Sequence, residues 1–302
     1  MAIARSQLMK ELLPGLNSLF GLEYKQYPEE WRYCFEVENS DRSFEEEVKL
    51  SGFGLAPIKD EGAAIAYDDA QEAYTSRYTH STVAMGFSLT EEAVEDNLYA
   101  SLSARYTKAL ARAFQHTKEV KGAAVFNEAF TGQVGGDGVN LCSTAHPLVN
   151  GGTNSNEPSV AADLNETSLE AAIIQIGKWT DERGLKIAAR PEKLIIPSDL
   201  QFEAERIMKS ELRIGTPNND INALASTSAI SGGYMINHYL TDPDAWFLKT
   251  SVPNSLKHFV RVAMKTSMEG DFETGNVRYK GRERYSFGYS DPLGIFGSPG
   301  AG

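Results

Sequence analysis

The sequence predicts an α+β fold, and three observations carry the prediction. A single amphipathic pattern of about 30 residues, beginning near Ser88, reads as one helix about 45 Å long. From 167 to 250 helical and strand patterns alternate at short intervals, which is the signature of a compact α/β subdomain. The stretch HFVRVAMKTSMEGDFETGNVRYKGRERYSFGYSDPLGIFG, from His258, alternates in the manner of antiparallel strands and is broken by Gly and Asp-Pro.

The elements follow in order. Residues 3–20 place Leu8, Leu12, Leu16 and Leu19/Phe20 at helical spacing, and Pro14 is expected to divide them into two short pieces. That stripe fits either the chain's own core or a neighbouring subunit. Residues 31–87 read as strand and turn. FEVEN and EEEVKLSGFG form one arm, EAYTSRYTHSTVAMGFSL the other, and PIKDEGAAIAYDDAQ the far end of a long hairpin. This segment has few core-sized side chains, and an isolated hairpin is marginal in water, so it needs a surface to lie on.

The long helix is expected to open on a capping box, Ser88-x-x-Glu91. Glu91, Glu92, Glu95 and Asp96 load its first turns. Arg105, Lys108, Arg112, Lys118 and Lys121 load its later turns, and Gly122 reads as its stop. Val94, Leu98, Leu102, Tyr106, Ala109/Leu110 and Ala113 mark its apolar stripe. A second helix is expected to be capped by Thr167-x-x-Glu170 and a third by Ser198-x-x-Gln201, running to about Lys209. LKIAA and KLIIP read as buried strands.

Composition excludes several classes. A hydrophobic share of 41% and a charged share of 23% are those of a folded chain. No run approaches the ~18 apolar residues of a membrane span. The first 21 residues lack the apolar region of a signal peptide. Two cysteines, Cys34 and Cys142, make no disulfide framework and fit a reducing cytoplasm. A net charge of −12 argues against a DNA-binding module but not against a protein that encloses DNA.

One stretch could carry chemistry. LCSTAHPL, residues 141–148, sets Cys142 four residues before His146. It admits a zinc site, a thiol nucleophile with its base, or a turn. Zinc wants about four ligands, and the other cysteine and histidines (His80, His116, His238, His258) fall in no ligand spacing. A nucleophile needs a base and a third, orienting group, and none is marked. The turn reading is favoured: a strand end at Leu141-Cys142, closed by His146-Pro147. GQVGGDG, 132–138, fits no phosphate-binding pattern and reads as a flexible surface loop. Asp68-Asp69 and Glu45-Glu46-Glu47 read as solvated charges. No catalytic, cofactor-binding or metal-binding residue is assigned.

Charge is unevenly placed. Residues 41–72 hold nine Asp/Glu against three Lys/Arg, a net −6, whereas 257–285 hold seven Lys/Arg against four Asp/Glu, a net +3. The later part of the long helix is also basic. An acidic hairpin that cannot stand alone, beside basic surfaces elsewhere, suggests docking between chains.

The order of parts resembles the tailed-phage major capsid protein of the Hong Kong 97 type. LLPGLNSLFGLEYKQYPEEW, FEVENSDRSFEEEVKLSGFG, LCSTAHPLVNGGTNSN and RPEKLIIPSDLQFEAERIMKS look like the Mu-like major head subunit branch. The resemblance covers nearly the whole chain. It implies the Hong Kong 97-like fold with an N-terminal arm (1–40), an E-loop (41–87), a P-domain with a spine helix (88–150), an A-domain (151–251), and P-domain return strands with the C-terminus (252–302).

It further implies a structural subunit that self-assembles through hexamers and pentamers into an icosahedral head. That head encloses double-stranded DNA without sequence-specific binding, inside a mostly acidic or neutral lining. The E-loop would lie over a neighbour, and loops in 215–232 would meet at the symmetry axes. The implied setting is the virion, after assembly in the bacterial host cytoplasm, with portal, separate scaffolding and decoration proteins as partners. The chain has no room for the scaffolding domain that some members carry before the arm. Some members also join an E-loop lysine to a neighbour's asparagine. Lys49, Lys59 and Asn276 are the residues such a link could use, and no motif surrounds them. The alternatives are an encapsulin-like compartment, which shares the fold, and a cysteine hydrolase using Cys142 and His146.

Overall fold

A computed structural model describes residues 5–62, 64–90, 99–132, 134–212, 220–271 and 275–301. Helix α1 spans Arg5–Gln26 and passes through Pro14 without a break. Proline in a helix interior forfeits a backbone bond at a cost of about 3 kcal/mol. Burial offsets it: Leu16 and Phe20 pack against Leu110, Ala111, Phe114 and Tyr279 of the same chain, at about 2 kcal/mol per large side chain. Of the two fits open to the stripe, Leu16 and Phe20 take the chain's own core. Nothing is described for the side chains of Leu8 and Leu12.

Those partners belong to helix α2, described over Tyr99–Asn127, and to a four-stranded sheet. The sheet comprises β1 (Glu36–Asn39), β4 (Ser81–Leu89), β10 (Leu256–Gly270) and β11 (Val277–Tyr289), in the order β1-β10-β11-β4. Strand β1 runs parallel to β10; the other pairs are antiparallel. Ser88 stands in β4 opposite Arg278, so it does not cap the helix. Glu91, Glu92, Val94, Glu95, Asp96 and Leu98 lie outside the described residues. Gly122 does not stop α2, which continues to Asn127. It is there for closeness: a Cβ at 122 would sit 2.9 Å from the Cβ of Trp31.

Trp31 lies in a short 3-10 turn, Trp31–Tyr33, that straps α1 to β1 across α2. The carboxylate of Glu119 on α2 accepts from the backbone N–H of Glu30 (2.9 Å) and of Trp31 (3.1 Å).

The hairpin proper is β2 (Phe44–Leu50) against β3 (Glu72–Thr79). FEVEN is therefore no part of it, and the Tyr/Thr-rich run divides at His80 into strands of two different sheets. β4 leaves the hairpin because Val83 and Phe87 find an apolar seat beside Leu110 and Phe114.

The second sheet has the order β12-β9-β7-β8, built from β7 (Pro191–Ile196), β8 (Tyr234–Ile236), β9 (Trp246–Thr250) and β12 (Ile295–Ser298). Two residue pairs, β5 (His146–Pro147) and β6 (Thr153–Asn154), bridge the intervening loop. Helices α3 (Glu166–Lys178), α4 (Gln201–Lys209) and α5 (Ala223–Thr227) accompany the second sheet. Leu169, Ile176, Leu194, Ile207, Trp246 and Phe296 fill its core.

Asn165, not Thr167, caps α3. Its side chain accepts from Ser168 N (2.8 Å), and Ser168 Oγ accepts from Asn165 N (3.0 Å). Ser198 begins a 3-10 turn and makes no capping bond. KLIIP is a strand. LKIAA is not: only Lys186 bridges, to Thr180, and Ala188 has a φ of 55°. A third cluster, with Trp31, Phe35, Phe126, Leu141, Phe247 and Leu256, joins the two sheets.

Candidate functional site

The loop after α2 brings Cys142 and His146 into the interior without pairing them. His146 is 3% exposed. Its Nδ1 lies 2.6 Å from Asp137 Oδ2 and its Nε2 2.9 Å from Asn156 Oδ1. Asn156 Nδ2 donates to the carbonyls of Leu141, Pro292 and Ile295, and that fixes which way its amide points. Both ring nitrogens of His146 are thus engaged, and neither meets the thiol. Burial pushes the Cys142 thiol well above its ordinary pKa, whereas a nucleophilic thiol needs the opposite. Leu141-Cys142 is not a strand end; the two residues are ordered by a Cys142 N–H to Ala129 carbonyl bond and by Asn156. Together these contacts pin the loop to the C-terminal segment.

Among the described residues no group of three or more His, Cys, Asp or Glu side chains is placed to hold a metal ion, and no helix is long and apolar enough to cross a membrane.

The glycine-rich loop lies at the surface, with Gly132, Val134, Gly136 and Gly138 exposed, and it also takes a close contact from β3. A Cβ at Gly136 would lie 2.6 Å from the carbonyl oxygen of Thr75, so β3 rests directly on this loop. Gln133 lies outside the described residues. The carboxylates expected to be solvated are also engaged. Glu45 accepts from Ser40 Oγ (2.7 Å). Glu47 pairs with Lys257 and accepts from Ser290 Oγ. Asp68 accepts from the Gly54 N–H and pairs with Arg183 (2.6 Å). The Gly54 bond first, then Arg183, holds its carboxyl below the usual range.

The Glu45 and Glu47 contacts anchor the base of the hairpin to its own subunit, and the Asp68–Arg183 pair ties down a point in its distal part. Lys49 bridges Asp291 (2.9 Å) and Glu182 (3.2 Å). Burial opposes its charge, but the two carboxylates outweigh burial and raise its pKa. Tyr74 Oη donates to the Ser290 carbonyl (3.2 Å), and Tyr78 Oη meets Ser290 Oγ at 2.5 Å. At the junction of β3 and β4, buried His80 is held between Ser40 Oγ (2.8 Å) and Ser286 Oγ (3.0 Å). Burial first, then Arg284, lowers its pKa. Glu182, Ser290 and Asp291, about 130 to 240 positions away in sequence, carry no local signal of this role.

The distal part of the hairpin is held at Asp68, by Arg183 and the Gly54 N–H, and elsewhere carries exposed apolar side chains. Among the described residues from 51 to 71 none is in a strand or helix. Large apolar side chains stand in solvent there: Ile58 is 97% exposed, Tyr67 93%, Leu55 83%, with Ile65 and Phe53 close behind. Several large apolar side chains left in water along one segment mark a candidate interaction site. The arrangement is a fixed base presenting a greasy, acidic tip.

A family model described as Phage capsid protein matches residues 72–297. Three solved structures share the fold. One is the capsid of an empty GTA particle, with a TM-score of 0.53 and 13% identity, covering 88% of this chain and 88% of that one. Another is the capsid of the Myoviridae phage XM1, at 0.50 and 11%, covering 92% and 95%. The third is a holo-encapsulin complex from Synechococcus elongatus, at 0.55 and 10%, covering 91% and 89%. No curated protein sequence matches the chain at a significant level.

Proposed function

The chain belongs to the phage capsid protein family, and from that membership and its Hong Kong 97-like fold we propose that it is the major head subunit of a tailed phage, of the Mu-like branch. It is a structural shell protein that assembles from many copies and takes its place in the virion capsid. In the finer reading, hexamers and pentamers close an icosahedral head around double-stranded DNA. Assembly takes place in the host cytoplasm, with portal, scaffolding and decoration proteins as partners and no enzymatic step. The division into arm, E-loop, P-domain and A-domain belongs to the same proposal, as do axial contacts by loops in 215–232. Of those loops, residues 215–219 lie outside the described residues.

One observation carries the reading: a hairpin anchored at its base by Lys49, Tyr74 and Tyr78, with Leu55, Ile58 and Tyr67 held in water at its tip. Each such side chain gains about 1.5–3 kcal/mol on full burial, and a neighbouring copy can supply that burial. Heterologous contacts of this kind close into rings.

The test is the triple change Leu55→Ser, Ile58→Ser, Tyr67→Ser. The unassembled subunit should keep its melting temperature, because exposed positions far from special features rarely matter to stability. Closed particles should be absent by negative-stain microscopy. Complete shells from the triple variant would refute the role of the tip. Small shells without nucleic acid from the parent protein would favour the encapsulin-like alternative.

A further inference from the structure

Helix α2 shows a charge pattern to which the reading above gives no role. Its described length holds five Lys/Arg (Arg105, Lys108, Arg112, Lys118, Lys121) and one acid, Glu119. Glu119 is buried and so is the Lys118–Glu283 pair, so neither is displayed. The exposed face presents Arg105, Lys108, Arg112 and His116, with small Ala109 among them. Eleven residues separate Arg105 from His116, about 16 Å of helix. In a chain of net charge −12, a stripe of one sign without an acid of its own is a local reversal of the field.

The stripe also has a concave seat. A groove of about 450 Å³ runs between α1 and α2, lined by Glu23, Tyr27, Lys108, Arg112 and His116 over Ala109 and Ala113. The cations are oriented, not merely present. The Arg112 guanidinium lies 5.9 Å from the Tyr27 ring centroid, and His116 packs edge-on to Tyr239 at 5.4 Å. Lys108 pairs with Glu23 at 3.8 Å, so the seat holds one acid beside its cations, and Arg105 and Arg112 keep the face positive.

We propose that this face of α2 is a contact surface for the phosphate backbone of duplex DNA, with Arg105, Lys108 and Arg112 as its cations. The inference rests on the shell reading, in which duplex DNA is the enclosed partner; the charge and shape of the face select phosphate as what it meets. The outward row on β11 (Arg278, Lys280, Arg282) is the rival basic surface. It is partly neutralised: Arg278 pairs with Asp271 at 2.5 Å and stands opposite Glu269. A phosphate surface reads no bases, so it gives an acidic lining local points of attachment and no sequence preference. Each contact is weak alone and gains from repetition across a shell.

The experiment measures binding of a fluorescent 30-base-pair duplex to the full-length, unassembled subunit between 50 and 200 mM salt. Three phosphate contacts give a slope of about −2.7 in log K against log salt, a roughly 40-fold loss over that range. The variant Arg105→Gln, Lys108→Gln, Arg112→Gln should lose most of that slope while melting as the parent does. The control Lys265→Gln, Lys280→Gln, Arg282→Gln should keep it. The proposal is overturned if the α2 variant keeps the parental slope, if the control carries the loss, or if the parent does not bind the duplex. It is equally overturned if the α2 variant binds DNA normally and only fails to form closed particles, which would make the stripe a protein contact. Failure of the parent to form shells would instead refute the reading on which it rests.

Discussion

Glu119 sets up a measurable pH dependence whose sign is opposite to intuition. The carboxylate is buried and accepts two backbone N–H bonds, from Glu30 and Trp31. Burial outweighs those bonds, Glu29 and Glu30 add their repulsion, and the pKa rises from 4.5 to about 7. The folded chain therefore holds a proton between pH 4.5 and 7 that the unfolded chain has released. Stability from this group is complete below pH 4.5 and is lost as pH rises through 7. The difference corresponds to about 3 kcal/mol.

His258 works the other way. Burial first, then Lys118, hold its pKa near 3. Below pH 6.5 the unfolded chain takes a proton the folded chain refuses, and stability falls with acid. The two slopes overlap between pH 4.5 and 6.5, so the parent's total curve conceals both. Subtracting Glu119→Gln isolates the first. Urea unfolding of the unassembled subunit from pH 4.5 to 8 should show the variant gaining about 3 kcal/mol relative to the parent as pH rises. Parallel curves would show that the carboxylate is not strained by burial and would refute the reasoning.

Three further outcomes are expected. Lys49→Met should cost about 2–3 kcal/mol in urea unfolding, since it leaves Glu182 and Asp291 facing each other; the value is below that for a fully buried pair because Lys49 is partly exposed. Gly122→Ala should destabilise by about 1 kcal/mol. The clash with Trp31 costs about 1–3 kcal/mol against about 1 gained in helix propensity, and a stabilised variant would remove the close-approach argument. Cys142→Ala should cost on the order of 1 kcal/mol and leave particle yield unchanged, whereas loss of particles would give the thiol a role that its burial denies.

What the sequence revealed was what local pattern controls. A long helix with basic later turns, the strand at KLIIP and the β10–β11 pairing follow from local pattern, although neither end expected for that helix holds. The same rules misplaced Pro14 and Gly122, because both are decided by what packs on the helix. Pro14 is carried by the burial of Leu16 and Phe20; Gly122 is reserved for Trp31, ninety positions away. Ser88 was claimed by β4 through its register with Arg278, a long-range pairing that no capping motif announces. The hairpin's exposed tip was legible as a shortage of core residues. Its anchor was not, because Glu182, Ser290 and Asp291 become a site only when the C-terminal segment folds back beside Lys49.

The position of His80 has a mechanical consequence. One residue separates β3 of the hairpin from β4 of the central sheet, and that residue is riveted on both sides, by Ser40 just past β1 and by Ser286 of β11. There is no slack linker to absorb a tug on the tip. A pull on the tip would pass down β3 into β4 and across to β11, whose inner side leans on α2. The hairpin is thus a lever rather than a tether, and in a shell built as proposed above such levers would share a local strain among many subunits.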